Sequence, residues 1–348
     1  FKLNTPIDIS FLYLNSSTTK PSNSVPLILL YSMPKSFEYS LLVQFEEKLK
    51  NQTNVQVIKN SSFQIAKECF ESVSVLEQSE YSLSASFAVN FLMDIEPRLS
   101  NDIGKDDILQ LEILSDDKGK KGDVRDVLAI RLLQKWEIGV SAKNNHHAVK
   151  HSRLSSSIDF GEKWFGIKVS KNYFDKVTPI FNNLEIIRRD SNATKKWSEL
   201  GDYHSDVYVP ILKAFIEELK NLQKENPNKV ASNLVAYLVG NRDFYKVVKG
   251  KNKVEIHAYN INGTLNLPFK DIQPKYKTPK VPLPTEIIDI DFKTDSDTTA
   301  IVTMDNDWTL SFRIHNASSR VESSLKFDIN LLKSPKKLFK NTLNISKD

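Results

Sequence analysis

The stretch Asp123–Lys143, DVRDVLAIRLLQKWEIGVSAK, determines the predicted fold. It contains two runs of strand-forming residues on either side of a short link around Leu133, which is the pattern of an antiparallel hairpin. Because successive residues of a strand point to opposite faces, the second run has one apolar and one polar face. The apolar face carries Trp136, Ile138, Val140 and Ala142. The polar face carries Glu137, Gly139, Ser141 and Lys143. We therefore expect the apolar face to lie in the core and the polar face to carry the reactive side chains.

The register of this hairpin follows from its short link. If the residues that flank Leu133–Gln134 pair with each other, counting back places Asp126 directly opposite Ser141. Lys143 is then one step away on the same face. A register slip of three residues would bring Asp123 to this position instead. Both acids are therefore candidates, and Asp126 is favoured.

An acid, a short polar residue and a lysine on one hairpin resemble the active site of metal-dependent nucleases of the PD-(D/E)xK group. In that group the lysine follows an acid by two positions, and here Ser141 occupies that position. Cleavage of a phosphodiester requires a divalent cation, usually Mg²⁺, held by oxygen ligands. Asp126 and Asp123 are candidate ligands. Lys143 is a candidate to stabilise the attacking hydroxide and the developing negative charge.

A second carboxylate is needed because Ser141 cannot act as the missing acid. Glu137 on the same strand and Glu38 on the first predicted helix are the candidates, and the resemblance to related nuclease folds favours Glu38 as the further metal ligand. In the alternative interpretation these residues have only a structural role. The two aspartates would lie at the start of a strand beside Arg125, and Lys143 would be solvated at the end of a strand.

The segment after the hairpin is rich in hydrogen-bond donors suited to phosphates and guanine edges. The DNA-binding candidates in it are Asn145, His147, Lys150, His151 and Arg153. His147 and His151 have the spacing of a zinc-protease helix, but Ala148 stands where the glutamate base is required. Asn145 with His146 suggests an HNH nuclease, whose second spaced histidine is missing. A solvated polar loop is the remaining alternative.

Composition excludes several classes of protein. The 348 residues are 40% hydrophobic and 26% charged, with 48 basic and 43 acidic side chains, which is typical of a folded domain with a mildly basic surface. The single cysteine, Cys69, cannot form an intramolecular disulfide or a cysteine-based zinc cluster. It also lacks the preceding proline of a cytosine-methyltransferase loop. No apolar run approaches the roughly 18 residues of a membrane helix, and we expect a cytoplasmic protein.

The remaining patterns give an order of helices and strands. Helices are predicted over about 36–49, with Ser36 as N-cap, and over about 62–76, 84–96, 173–188, 206–226 and 231–239. Further strands are predicted over about 108–114, 286–293, 300–304 and 308–315, with a polar turn at 116–122. The prolines and lysines of 268–284 indicate an extended strap or linker over the surface.

Four blocks of the sequence resemble the HaeIII-type type II restriction endonucleases. They are DDKGKKGDVRDVLAIR (116–131), WEIGVSAKNNHHAVKHSRL (136–154), DFGEKWFG (159–166) and FRIHNASSRVESSLKFD (312–328). The likeness extends from about Ser36 to about Leu332, and it includes Phe37–Tyr39 and a strand at Val57–Phe63. It implies Mg²⁺-dependent cleavage of double-stranded DNA within the palindrome GGCC. It also implies a companion cytosine methyltransferase.

A GGCC target favours arginine and lysine, which bind guanine O6 and N7 in the major groove. Further DNA-binding candidates are therefore Arg313, His315, Asn316, Arg320 and Lys326. The alternative for Arg313–Asn316 is a salt-bridged strand end. Trp164 and Phe165 are interpreted as core residues rather than base-stacking groups. A palindromic target predicts a two-fold dimer, with a monomer that acts twice as the alternative.

The predicted fold class is α/β, with a PD-(D/E)xK restriction-endonuclease-like mixed sheet flanked by helices and a β-rich C-terminal region. The predicted segments are a poorly ordered extension (1–33), the catalytic core (34–267), the Pro/Lys-rich strap (268–285) and a β-rich DNA-binding region (286–348). The predicted function is a type II site-specific deoxyribonuclease. The competing functions are a DNA-binding protein that does not cleave and a repair-type nuclease with the same core.

Overall fold

The computed structural model describes the backbone of residues 27–100, 106–115, 123–144 and 148–345, and the side chains of these ranges except 27–33 and 148–151. The predicted turn at 116–122 and residues 1–26 of the predicted extension lie outside the described residues. The α-helices are α1 (Leu27–Leu49), α2 (Ser61–Ser72), α3 (Val75–Ile95), α4 (Pro97–Ser100), α5 (Phe160–Phe165), α6 (Lys171–Asp190), α7 (Val209–Glu225) and α8 (Val230–Val239). The strands are β1 (Val55–Ile58), β2 (Leu109–Ile113), β3 (Val127–Arg131), β4 (Trp136–Asn144), β5 (Ala148–Ser155), β6 (Phe244–Lys249), β7 (Lys253–Tyr259), β8 (Ile287–Phe292), β9 (Thr299–Met304), β10 (Thr309–His315), β11 (Ser324–Lys333) and β12 (Phe339–Asn344).

These strands form two sheets. The first has the order β1-β2-β3-β4-β6-β7-β12, and the second has the order β5-β11-β10-β9-β8. The pairs β1–β2 and β4–β6 are parallel, whereas β2, β3 and β4 form the predicted antiparallel meander. The mixed sheet flanked by helices and the β-rich C-terminal part confirm the predicted fold class. Chain order does not separate the two sheets. The C-terminal strand β12 lies in the first sheet, whereas β5, which follows β4 along the chain, lies in the second.

The first three helices cover the apolar face of the first sheet. Phe37, Leu41 and Leu42 of α1 are fully buried against it, as their helical spacing predicts. The apolar side chains of β4 that alternation predicted, from Trp136 to Ala142, belong to the same core. Each fully buried leucine or phenylalanine contributes about 2 kcal/mol through the hydrophobic effect. This packing fixes α1 beside the central hairpin.

The second sheet packs on α5–α8 through a core rich in aromatic side chains. The ring of Trp164 lies 5.9 Å from that of Phe215 and 6.2 Å from that of Phe312. Trp164 and Phe165 are only 4% and 3% exposed, so their interpretation as core residues is confirmed. Within the described ranges, no helix is long and apolar enough to span a membrane.

Several element boundaries differ from the sequence prediction. Helix α1 begins at Leu27 and passes through Pro34, so Ser36 lies inside the helix and does not cap it. The predicted strand at Val57–Phe63 is wrong beyond Ile58, because the Asn60 side chain accepts from Phe63 N at 2.8 Å and caps α2. The predicted helix over about 62–76 ends early, since the capping box of Ser74 starts α3.

Other elements appear where the sequence prediction had none. Strand β5 lies in the segment for which a solvated polar loop was the remaining alternative, and its backbone pairs with β11. The helices α4 and α5 and the strands β6, β7, β11 and β12 also had no counterpart in the sequence prediction.

The segment 268–284 contains no regular helix or strand, as its prolines predict. It is nevertheless tied to the first sheet and its helices. Lys275 N donates to Asp94 O at 2.9 Å, and Tyr276 stacks on Phe91 with ring centroids 5.6 Å apart. Val281 is fully buried. The segment is therefore a packed strap and not a free linker.

Candidate active site

Asp126 lies at the point where the chain enters β3. Its backbone N–H donates to Val140 O at 2.8 Å, and Val127 pairs with Val140. This is the register predicted from the short link, and it brings Asp126 opposite Ser141. The carboxylate oxygen Oδ2 accepts hydrogen bonds from Ser141 Oγ at 3.2 Å and from Ala142 N at 2.7 Å. The hairpin backbone itself therefore holds this carboxylate in place.

Lys143 completes this cluster. Its Nζ lies 3.1 Å from Asp126 Oδ2, with 31% of the lysine side chain and 22% of the aspartate side chain exposed. Both groups are therefore accessible to a ligand at the end of β4. Ser141 is 2% exposed, and its hydroxyl orients the Asp126 carboxylate. The three residues that the sequence placed together do converge.

Glu38 approaches the same cluster from α1. It is 3% exposed, and its Oε2 accepts from Lys35 Nζ at 3.1 Å. Burial, and then the nearby charge of Asp126, raise the pKa of Glu38 to about 8, while Lys35 and Lys143 act to lower it. The packing of α1 thus brings a second carboxylate within electrostatic range of Asp126 and Lys143.

The other two acid candidates lie in a separate ion-pair cluster. Both carboxylate oxygens of Asp123 accept from Arg125, Oδ1 at 2.8 Å and Oδ2 at 2.7 Å. Glu137 accepts from Arg125 Nη1 at 2.9 Å and also from Arg242. Burial acts to raise the pKa of Asp123, but the bonds and charge of Arg125 lower it below its ordinary value. Glu137 is four residues from Ser141 along β4, about 13 Å at the usual rise of a strand.

The donor set at Asp126 fits a magnesium ion. Two carboxylates that repel each other in a buried setting form a site that a cation stabilises. Among the described residues, no group of three or more His, Cys, Asp or Glu side chains could hold a metal. Mg²⁺ commonly uses only one or two carboxylates, with water and substrate phosphates as the other ligands. Asp126 and Glu38 are the residues that would hold it, and Asp123 is engaged by Arg125 instead.

A lysine outside the hairpin also lies at this site. Lys246 of β6 pairs with Ser141 across the parallel strands β4 and β6. It is 6% exposed and lines a crevice together with Ser141 and Lys143. The sequence patterns did not indicate Lys246 as a site residue. The available signal was one lysine inside the apolar strand Phe244–Val248.

The second sheet gathers several of the predicted DNA-binding residues on its outer face. Arg153 pairs with Lys326, and Lys326 pairs with His315 across β5, β11 and β10. Arg313 lies on the same face with 59% of its side chain exposed, and its Nη2 donates to Asp328 at 2.6 Å. The salt-bridged alternative for Arg313 is thus present, but the guanidinium remains accessible.

The other DNA-binding candidates have different surroundings. The Asn316 amide accepts from Tyr208 OH at 2.9 Å and donates to Ser318 O, so it connects its own loop to the residue that precedes α7. Arg320 is exposed beside the second sheet, where its backbone bridges to Lys196. Asn145 and His147 lie outside the described residues. Lys150 and His151 are described only through the backbone pairing of β5 with β11.

Comparison with known proteins identifies the family. A model of the family described as HaeIII restriction endonuclease matches residues 34–335. The type II restriction enzyme HaeIII of Haemophilus aegyptius is 42% identical over 303 residues, which cover 86% of this chain and 93% of that enzyme. The chain belongs to the HaeIII restriction endonuclease family. No solved structure matches the chain.

Membership of the HaeIII restriction endonuclease family confirms the resemblance seen in the four sequence blocks. It also confirms the predicted class of enzyme, a type II site-specific deoxyribonuclease. The match includes Glu38, Asp126 and Lys143 as well as most of both sheets. Residues 1–33 precede it, as the resemblance implied.

Proposed function

We propose that this protein hydrolyses both strands of double-stranded DNA at the sequence GGCC and uses Mg²⁺ as its cofactor. The observation that carries the proposal is the convergence of Ser141 Oγ, Ala142 N and Lys143 Nζ on a single oxygen of Asp126. Such an arrangement holds one carboxylate and one ammonium group side by side at an accessible strand end. The GGCC target rests on the resemblance to the HaeIII family.

The residues divide the chemistry between them. Asp126 and Glu38 would hold the cation, which would neutralise charge on the scissile phosphate and lower the pKa of a water molecule. Ser141 and the Ala142 N–H keep the Asp126 carboxylate oriented, so that it does not have to reorganise when substrate binds. Lys143 stabilises the attacking hydroxide and the negative charge that develops on the phosphate.

Recognition of the target is assigned to the outer face of the second sheet. Arg153, Arg313 and Lys326 supply cationic donors there, and His315 adds an imidazole. Arginine binds guanine O6 and N7 through two parallel hydrogen bonds, and GGCC offers guanines on both strands. Lys150 and His151 share β5 with Arg153, and we propose that they contribute to the same contact.

The proposal extends to partners and to the place of action. A palindrome that is cut in both strands is served most simply by a homodimer with two-fold symmetry. Host DNA would be protected by a companion cytosine methyltransferase with the same target. We place this activity in the cytoplasm.

Digestion of phage DNA tests the proposal. Purified protein is incubated with Mg²⁺ or with EDTA, and the ends of the fragments are sequenced. We expect discrete fragments that end within GGCC, only when Mg²⁺ is present. A Lys143→Ala variant should lose cleavage, and Lys135→Ala serves as the matched control because Lys135 lies at the opposite end of the same hairpin.

Two results would contradict the proposal. Tight binding without cleavage under any divalent cation would leave a DNA-binding protein. Mg²⁺-dependent cleavage without preference for GGCC would indicate a repair-type nuclease.

A further inference from the structure

A row of polar residues crosses the first sheet on the face opposite α1. Ser141 of β4 pairs with Lys246 of β6, Lys246 pairs with His257 of β7, and His257 pairs with Lys340 of β12. Residues that pair across adjacent strands point to the same side of a sheet. The row therefore begins at the Asp126 cluster and continues for three strands beyond it.

Lys143 of this cluster and Lys246 of the row line the same crevice. Ser141, Lys143 and Lys246 line it together with Phe244 and Tyr259, and its volume of about 20 Å³ has room for one water-sized group. An oxygen of a phosphate group is of this size. Two lysines whose charges act on each other therefore line a space of the size of one anionic oxygen.

The electrostatics of the row also favour an anion. Burial, and then the charges of Lys143 and Lys340, lower the pKa of Lys246 to about 8. Burial, and then the charges of Lys340 and Lys246, lower the pKa of His257 to about 4, so the imidazole is neutral near pH 7. Glu255 is the acid that acts on both groups in the opposite direction. Repulsion between ammonium groups that are only partly solvated is relieved when an anion lies between them.

We propose that Lys246 is a second phosphate-binding lysine of the active site, and that it contacts a non-bridging oxygen of the phosphate that is cleaved. Lys246 stays an ammonium group throughout and neither donates nor accepts a proton. Its role is to hold the phosphate against Lys143 and Asp126. The inference rests on the proposed function, because it assumes that DNA is cleaved at the Asp126 cluster.

A neutral phosphate analogue tests this contact directly. The position of cleavage is first determined by sequencing fragment ends from the wild-type protein. Binding in EDTA is then measured by fluorescence anisotropy for a GGCC duplex and for the same duplex with a methylphosphonate at that position. The variants are Lys246→Met, which fills the crevice without the charge, and Lys246→Arg, which keeps the charge.

Lys249 provides the matched control. It lies on the same strand and is also 6% exposed, but its Nζ lies 3.5 Å from Glu80 and 5.2 Å above the ring of Tyr81, beside α3. It therefore faces away from the crevice. Urea unfolding of each variant establishes that it is folded before its binding is interpreted.

We expect Lys246→Met to bind the ordinary duplex about 10- to 100-fold more weakly than the wild type, the range for loss of a charged hydrogen bond. The loss should largely disappear on the methylphosphonate duplex, where the contact is already missing. The slope of log K against log salt should become shallower by about 0.9 for the missing phosphate contact. Lys246→Arg and Lys249→Met should bind both duplexes as the wild type does.

Different results would overturn the inference and the proposed function. If Lys246→Met weakens binding to both duplexes equally, or to neither, Lys246 does not contact the cleaved phosphate. The same conclusion follows if Lys246→Arg loses the preference for the charged phosphate. A wild-type protein that neither cleaves GGCC DNA nor prefers it to a scrambled duplex would instead overturn the proposed function.

Discussion

Replacement of Glu38 by glutamine should change the pH dependence of stability. The pKa of Glu38 is raised from 4.5 to about 8, first by burial and then by Asp126. Between these values the folded protein holds a proton on Glu38 that the unfolded chain has lost. Stability therefore falls as pH rises across this window, by up to about 1.4 kcal/mol per pH unit. Glu38→Gln removes the titration, so its stability relative to wild type should increase on the order of 4 kcal/mol from pH 5 to pH 8.

The assay is urea unfolding of the wild type and the variant at several pH values, with and without Mg²⁺. A cation held by Glu38 and Asp126 favours the ionised carboxylate, so Mg²⁺ should reduce the difference between the two proteins at pH 8. The variant should also cleave DNA at least about 100-fold more slowly, because one of two charged ligands is lost.

Glu96 is the control for this experiment. It is 1% exposed and accepts from Tyr245 OH at 2.6 Å, and burial raises its pKa to about 7. The stability of Glu96→Gln relative to the wild type should therefore also increase as pH rises, but Mg²⁺ should not change this difference. The reasoning is refuted if Glu38→Gln and the wild type have parallel pH profiles, or if Mg²⁺ acts equally on both variants.

Two further predictions concern the framework of the hairpin. Arg131 is fully buried, and its Nη1 lies 2.7 Å from Asp107. Arg131→Met should therefore lower the free energy of unfolding, measured by urea titration, by about 3–5 kcal/mol. The second substitution Asp107→Leu should restore part of this loss. If Asp107→Leu restores no stability, the loss in Arg131→Met does not come from an unpaired charge on Asp107. A methyl group added at Gly139 would lie 2.1 Å from Arg125 Cδ, so Gly139→Ala should cost about 1–3 kcal/mol by the same measurement. An unchanged unfolding midpoint would show that Arg125 does not cover this glycine.

The central hairpin was predictable because its information is local. A short link and strict alternation were enough to give the register that places Asp126 against Ser141. The separate position of Asp123 depends on side chains rather than register. Arg125, two residues away, takes both of its carboxylate oxygens. The sequence pattern alone could not show whether the Asp123 carboxylate binds Arg125 or a metal ion.

The parts of the site that depend on distant pairing were less accessible to sequence analysis. Lys246 reaches Ser141 only because β6 lies parallel to β4, and a parallel neighbour requires a long crossover that leaves no local signal. The placement of β12 in the first sheet and of β5 in the second also depends on pairing between distant parts of the chain. Glu38 was proposed from the resemblance to related nuclease folds, and its approach to Asp126 follows from the packing of α1.

Cleavage by two aspartate variants tests the central claim most directly. Asp126→Asn and Asp123→Asn each remove one negative charge from residues only three positions apart, and both are assayed on GGCC DNA with Mg²⁺. The arrangement of Ser141, Lys143 and Glu38 around Asp126 predicts that Asp126→Asn loses at least about 100-fold in the rate of cleavage. Asp123→Asn should lose stability through its bond to Arg125 and retain cleavage while it is folded. Full activity of Asp126→Asn, or loss of activity only in folded Asp123→Asn, would contradict this account.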